Sequence, residues 1–314
     1  MKTNTNDPNQ LNEKESEKIT WEDNLEVKDL VKPIVVRRVR IAQAGVILLL
    51  LVITGAFLWT KFMKPPTGDQ LVAEMIKASG GMDAWNSVQD GNFVRTHLLY
   101  DEKGIVIRKE YETFYFKNTS NGHDLLIKSV TDDGAKVIVS RDADGYWATE
   151  NDNPVDARTE AKKFEFMCHE DECVPLCKCE MALYRFSLPF KLTDAGVKPK
   201  YAGTAMLNGE KSLMLDITFN PEVGSDRWVF YVNPHNHLIR KIEHYSSMEN
   251  NEQPEEIFWS DYKKEGPINI SHSNKIFRSN GKLLEEYQIS DVHFNSTIAQ
   301  DFFNRPVQVS QVNF

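Results

Sequence analysis

The sequence is poor in cysteine, lacks any catalytic signature and concentrates positive charge at one place only. Its 314 residues include four cysteines, all between Cys168 and Cys179, which excludes a disulfide framework spread through the chain. No H-E-x-x-H, phosphate-binding glycine loop or nucleophile elbow occurs, so nothing points to zinc-protease, nucleotide-hydrolase or α/β-hydrolase chemistry. Lys and Arg number 37 against 46 Asp and Glu, a net charge of -9. A nucleic-acid backbone calls for a basic surface, so nucleic acid is excluded as the main partner. The one basic run is Arg37-Arg38-Val39-Arg40. No enzyme activity, cofactor or resident metal is expected.

What is present begins with a long apolar run. From Ile41 to Thr60 the chain reads IAQAGVILLLLVITGAFLWT, without a charge. As a helix this run is roughly 30 Å long, the thickness of a bilayer's hydrocarbon core. Trp59 and Phe62 suit the interfacial belt. A cleaved signal peptide would need a much shorter apolar core and a shorter leader before it. The run therefore predicts an uncleaved single-pass anchor. Positive charge is denser before it (Lys28, Lys32, Arg37, Arg38, Arg40) than after it (Lys61, Lys64, Lys77), which places the N-terminus in the cytoplasm and the large domain outside.

Three regions follow. Residues 1–36 are a polar cytoplasmic tail with little to bury. Residues 37–64 are the anchor and its flanks. Residues 65–314 are long enough to build a substantial core. The third region opens with a helix near Asp69–Ser79, whose Leu71, Val72, Met75 and Ile76 recur at helical spacing and which Gly80-Gly81 ends. A short helix over Met82–Val88 carries Trp85. After Asp90 the pattern becomes alternating strands with turns at Asp101–Gly104, Asn208-Gly209, Asn233-Pro234 and Asn280-Gly281. Ten to twelve antiparallel strands in meander order are expected, interrupted at about 155–187 by a helical insert containing the cysteines. The fold class is α+β: a transmembrane helix, then an antiparallel sheet curled into a half-barrel with lid helices, since so many strands must curl or close.

The order of several motifs resembles the LolA-like lipoprotein-carrier superfamily. Leu71–Trp85, with its glycine pair and tryptophan, is similar to the opening helix of such extracytoplasmic proteins. Leu188-Pro189-Phe190-Lys191-Leu192 resembles the return from lid to sheet. Trp228–Pro234 followed by Leu238–Ile242 resembles a strand–turn–strand pair, and Phe302-Phe303 with Pro306 a closing segment. The resemblance covers about residues 69–306. It implies an unclosed β-barrel whose helices cover an apolar cavity. Soluble carriers have cleaved signals, whereas this chain keeps its anchor, so a tethered role replaces shuttling. The candidate ligand-binding residues are Leu71, Met75, Ile76, Trp85, Phe93, Tyr115, Trp147, Phe186, Phe190 and Phe230.

The expected function is a membrane-anchored, periplasmic binding protein for an acyl or lipoprotein-like ligand at the inner membrane of a Gram-negative-type cell. The alternative is an envelope sensor or structural interaction protein whose tail contacts a cytoplasmic partner. Acidic pairs such as Glu255-Glu256 and Glu285-Glu286 fall on alternate strand faces and read as solvated edges. His235-Asn236-His237 reads as an exposed polar turn.

Outside the cytoplasm an even, clustered set of cysteines reads first as two disulfides among Cys168, Cys173, Cys177 and Cys179. A zinc or soft-metal site with His169 is the alternative, although no C-x-x-C pair is present; free or redox-active thiols are the third reading. Cys177 and Cys179 would strain to bond directly, so each is expected to join Cys168 or Cys173. Protein from its native compartment, measured by mass spectrometry without reductant, is expected to be lighter by four hydrogens than the reduced chain. A fully reduced chain carrying one zinc would establish the metal reading instead.

Overall fold

The computed structural model describes residues 43–55, 65–119, 122–131, 133–142, 145–155, 175–246, 253–278 and 280–306. The chain divides into two compact units, Met1–Lys64 and Pro65–Phe314. In the first, residues 43–55 form helix α1, and Val46 to Ile53 are exposed all round it. Among the described residues no helix is long and apolar enough to cross a membrane. The remainder of the expected span, 41–42 and 56–60, lies outside the described residues, as do the tail 1–36 and most of the insert.

The second unit opens with α2 (Gly68–Ala78). Thr67 accepts a hydrogen bond from the Gln70 amide, and the Gln70 side chain accepts one from the Thr67 amide. This capping box satisfies two donors that a helix start leaves open. Leu71, Val72, Met75 and Ile76 make its buried stripe. At its end the chain turns through Gly80 at φ +113°, where a Cβ would lie 2.6 Å from the Pro267 carbonyl oxygen. A side chain is excluded there on both counts. Helix α3 (Met82–Asn86) buries Trp85.

The sheet has thirteen antiparallel strands: β1 (Asp90–Tyr100), β2 (Val106–Thr119), β3 (Gly122–Val130), β4 (Lys136–Asp142), β5 (Gly145–Glu150), β6 (Asn153–Val155), β7 (Val197–Leu207), β8 (Glu210–Phe219), β9 (Arg227–Val232), β10 (Ile239–Tyr245), β11 (Glu255–Glu265), β12 (Ile268–Phe277) and β13 (Leu283–Phe294). Their spatial order is β6-β5-β4-β3-β2-β1-β13-β12-β11-β10-β9-β8-β7. These are two meanders, β1–β6 and β7–β13, joined where β1 pairs with β13. The outermost strands β6 and β7 are not paired with each other, so the sheet is unclosed. Helix α4 (Pro175–Phe186) and a 3-10 turn at Phe190–Thr193 lead the chain from the first meander to the second.

The inner face is the one that packs on α2, α3 and α4 in a single apolar cluster. From α4, Phe186 meets Phe93 on β1 and Tyr184 meets Trp228 on β9. In a flat sheet those strands, five steps apart, would be about 24 Å from each other; curling brings both within reach of one helix. A smaller cluster on the outer face joins Leu126, Trp147 and Phe303. There the carbonyl of Phe303 accepts hydrogen bonds from Ser140 and Trp147. The buried Asp90 carboxylate accepts from the amides of Ser296 and Ile298, which holds the closing segment against the start of β1.

One cross-strand row fixes which turns share a rim. Gly68 packs on Pro199, which pairs with Ile217, then Trp228, His244 and Glu255. One residue on, Glu256 pairs with Phe277 and Phe277 with Leu283, and two residues further Glu285 pairs with Leu99, which faces Arg108. The chain therefore enters this unit at the level of the β1–β2 turn.

The inner-face cluster should dominate stability. Phe93 is 1% exposed and stacked between Phe114 and Phe186. Phe93→Ala is expected to cost about 3–5 kcal/mol in urea unfolding of residues 65–314, with the slope of the transition unchanged.

Candidate functional site

Period two along β1 puts Phe93, Arg95 and His97 on the inner face, and their chemistry divides it into two zones. The first is aromatic. Phe93 stacks on Phe114 at 4.8 Å and on Phe186 at 4.2 Å. Phe116 lies against Phe186 and Phe294, and Trp85 stacks on Phe190 at 4.9 Å. Leu71, Met75, Ile76 and Phe230 belong to the same cluster. Eight of the ten residues expected from the sequence to bind ligand are thus brought together.

The other two are not. Tyr115 lies between the inward Phe114 and Phe116, and Trp147 precedes the inward Ala148, so both point outward. Tyr115 packs on Phe302 and Trp147 under Phe303. Their aromatic character gave no information about face; strand parity decides it.

The second zone is charged and buried. Arg95 Nε donates to Glu112 Oε2 at 2.6 Å, with its guanidinium over the rings of Phe114 and Tyr287. His97 Nδ1 lies 3.4 Å from Glu110 and Nε2 3.6 Å from Glu285. Arg108 also pairs with Glu110, and the Tyr287 hydroxyl donates to Glu285. Helix α4 reaches this zone through Arg185, 3.8 Å from Glu255. His244 faces the same Glu255 and is 2.8 Å from Asp226. The charged belt was missed in the sequence, and one reading is corrected by it: Glu285 is half-buried on the inner face, while Glu286 is buried on the outer face beside Tyr100. They are not solvated edges, because β13 lies in the middle of the sheet. A signal existed in the hairpin: around the Asp101–Gly104 turn, Arg95 falls opposite Glu112 and His97 opposite Glu110.

Burial works against charge here, and the partners outweigh it. Desolvation opposes protonation of His97, but Glu110 and Glu285 raise its pKa above the ordinary 6.5. Desolvation would raise Glu285, yet His97, Tyr287 and Arg185 hold it down at about 2. His244 is raised in the same way, by Glu255 and Asp226 against its burial. Among the described residues no group of three or more metal-ligating side chains is placed to hold a metal ion. The backbone of Cys177 and Cys179 is in α4, but the expected disulfides lie outside the described residues.

An unclosed antiparallel sheet with helices over its inner face defines the class: a half-barrel domain. The description "family of unknown function (DUF6503)" attaches to the family whose profile matches residues 148–284. A DUF1329 family protein from Desulfovibrio piger is similar in structure, with a TM-score of 0.50 at 14% identity over 76% of this chain and 97% of that one. At that identity the likeness speaks to the fold alone. A LolA superfamily protein from Nitrosomonas europaea is also similar, with a TM-score of 0.48 at 8% identity over 77% of this chain and 99% of that one. No curated protein matches the sequence.

The belt predicts a stability window. A raised His pKa adds stability that is full below about pH 6.5 and is lost as pH rises through the folded value. A depressed Glu285 adds stability that is present above about pH 4.5 and is lost as pH falls towards 2. Unfolding midpoints of residues 65–314 should therefore fall on both sides of mildly acidic pH. His97→Gln should flatten the fall on the neutral-to-alkaline side, as read by thermal melts in a pH series. An unchanged alkaline slope would remove His97 from the account.

Proposed function

We propose that the chain is a membrane-anchored binding protein for an apolar ligand, an acyl chain or lipoprotein-like group. Its N-terminus is cytoplasmic and its half-barrel lies outside the inner membrane. The observation that carries this reading is how the aromatic zone is covered. Among the described residues it is covered by three short helices and not by a second sheet, and Phe186 of α4 is the ring stacked on Phe93. Such a cover can be exchanged for hydrocarbon, since each CH₂ buried in place of water contributes about 0.8 kcal/mol. Arg185 and Tyr184, which join α4 to Glu255 and Trp228, would hold the cover shut when no ligand is present. No group in either zone is asked to make or break a covalent bond.

The same packing favours a second reading. The aromatic zone is already filled by the protein's own rings, so the domain is complete without a ligand. It would then serve as a sensor or interaction module, with residues 1–36 meeting a cytoplasmic partner.

Titration separates the two. Residues 65–314 should bind a fluorescent fatty-acyl probe saturably, with Kd falling about fourfold per added CH₂ until the zone is full. Trp228 fluorescence should change as α4 leaves. Folded protein that binds no acyl probe would end the ligand reading in favour of the interaction module.

A further inference from the structure

We infer that the rim carrying the β1–β2 turn is a membrane-docking surface that rests on the lipid interface beside the chain's own anchor. Among the described residues of the second unit, seven large apolar side chains are exposed. Ile105, Val106, Ile107, Tyr111 and Val130 are 42–59% exposed and lie together at the top of β1, β2 and β3. Val223 stands in the β8–β9 turn on the same rim, and Met206 alone lies at the far end of the sheet. Tyr111 and Val130 are direct cross-strand partners on the outer face. None of these side chains belongs to either packed cluster. An apolar patch of this kind, in a domain whose other strand faces are covered or polar, marks a contact surface.

Chain length argues that lipid is the occupant. The chain enters the unit beside Pro199, at the start of β7, on the same rim of the sheet as the β1–β2 turn. Only residues 61–64 separate the expected span from Pro65, and they reach at most roughly 15–20 Å. If the anchor reading under Proposed function holds, the entry point on this rim lies within that reach of the bilayer. The tether also makes the second contact intramolecular, so a weak patch suffices. Lys103, Lys128 and Lys136 are exposed around the apolar residues, alongside exposed Glu102 and Asp133 on the same turns; the lysines supply contacts for anionic headgroups. Docking by the rim would set the inner face edge-on to the lipid.

The test uses the full chain in phosphatidylcholine–phosphatidylglycerol vesicles. Flotation comes first: a chain that does not float with vesicles, even at high salt, overturns the anchor and the docking surface with it. For a chain that floats, amide hydrogen exchange of 101–111 and 130–136 is compared with the chain in detergent. Docking predicts exchange slowed about fivefold or more in both segments, with 206–211 unchanged. In the variant Ile105→Ser/Ile107→Ser, protection at 130–136 should be lost while flotation persists. Replacing Lys103 and Lys136 by Glu should weaken protection in anionic vesicles and leave the melting temperature alone. Unslowed exchange in a floating chain would overturn the docking surface and leave the anchor standing. Protection that appears in detergent and grows with protein concentration would assign the patch to a second copy of the chain instead.

Discussion

The pairing of β1 with β13 holds the two halves of the domain together. Each meander is built from neighbours in sequence, but this seam joins Gly91 to Phe294 and Leu99 to Glu285 across nearly two hundred residues. It makes the thirteen strands one sheet and brings α2, α3 and α4 over a common inner face. It also assembles the buried belt, because His97 comes from β1, Glu110 from β2 and Glu285 from β13. The Asp90 carboxylate secures the seam at one end by accepting the Ser296 and Ile298 amides. Without that register Arg95 and His97 would be buried charges with half their partners.

A buried belt of this kind is not a simple source of stability. Removing ions from water costs several kcal/mol each, and attraction between them offsets that only when geometry is good. What the belt supplies is definition. Arg95 is held by Glu112 and by two aromatic faces, so the register of the seam has one satisfied arrangement. The belt also borders the aromatic zone along a single strand, where Phe93 gives way to Arg95 two residues on. A ligand lodged in that zone would end against charge, which limits how far an apolar group can extend.

Much of the framework was legible in the residues. The helix starting near Asp69 and its glycine stop, most strand boundaries from β7 onward, and the turn at Asp101–Gly104 follow from local rules of period and turn chemistry. The short strand β6 and the extent of β2 did not follow: β6 is only three residues, Asn153–Val155, with a proline at its centre, and in β2 polar inward residues such as Glu110 and Glu112 break the apolar alternation that marks a strand. Tyr115 and Trp147 were read as lining because they are aromatic, yet each sits one residue out of phase with its inward neighbours. Glu285 looked solvated because, paired with Glu286 on alternate strand faces, it had no partner within its own segment; His97 comes from a distant strand.

The sequence by itself determined the pieces: which segments are helix or strand, where they turn, and that one uncharged run stands before a strand-rich region. These depend on interactions between residues a few positions apart. The tertiary structure alone decided that the meanders share a seam, that eight of ten expected residues meet on one face, and that a charged belt lies beside them. Those outcomes depend on contacts between distant segments, and a strand's partner is chosen by complementarity along its whole length rather than by any motif within it.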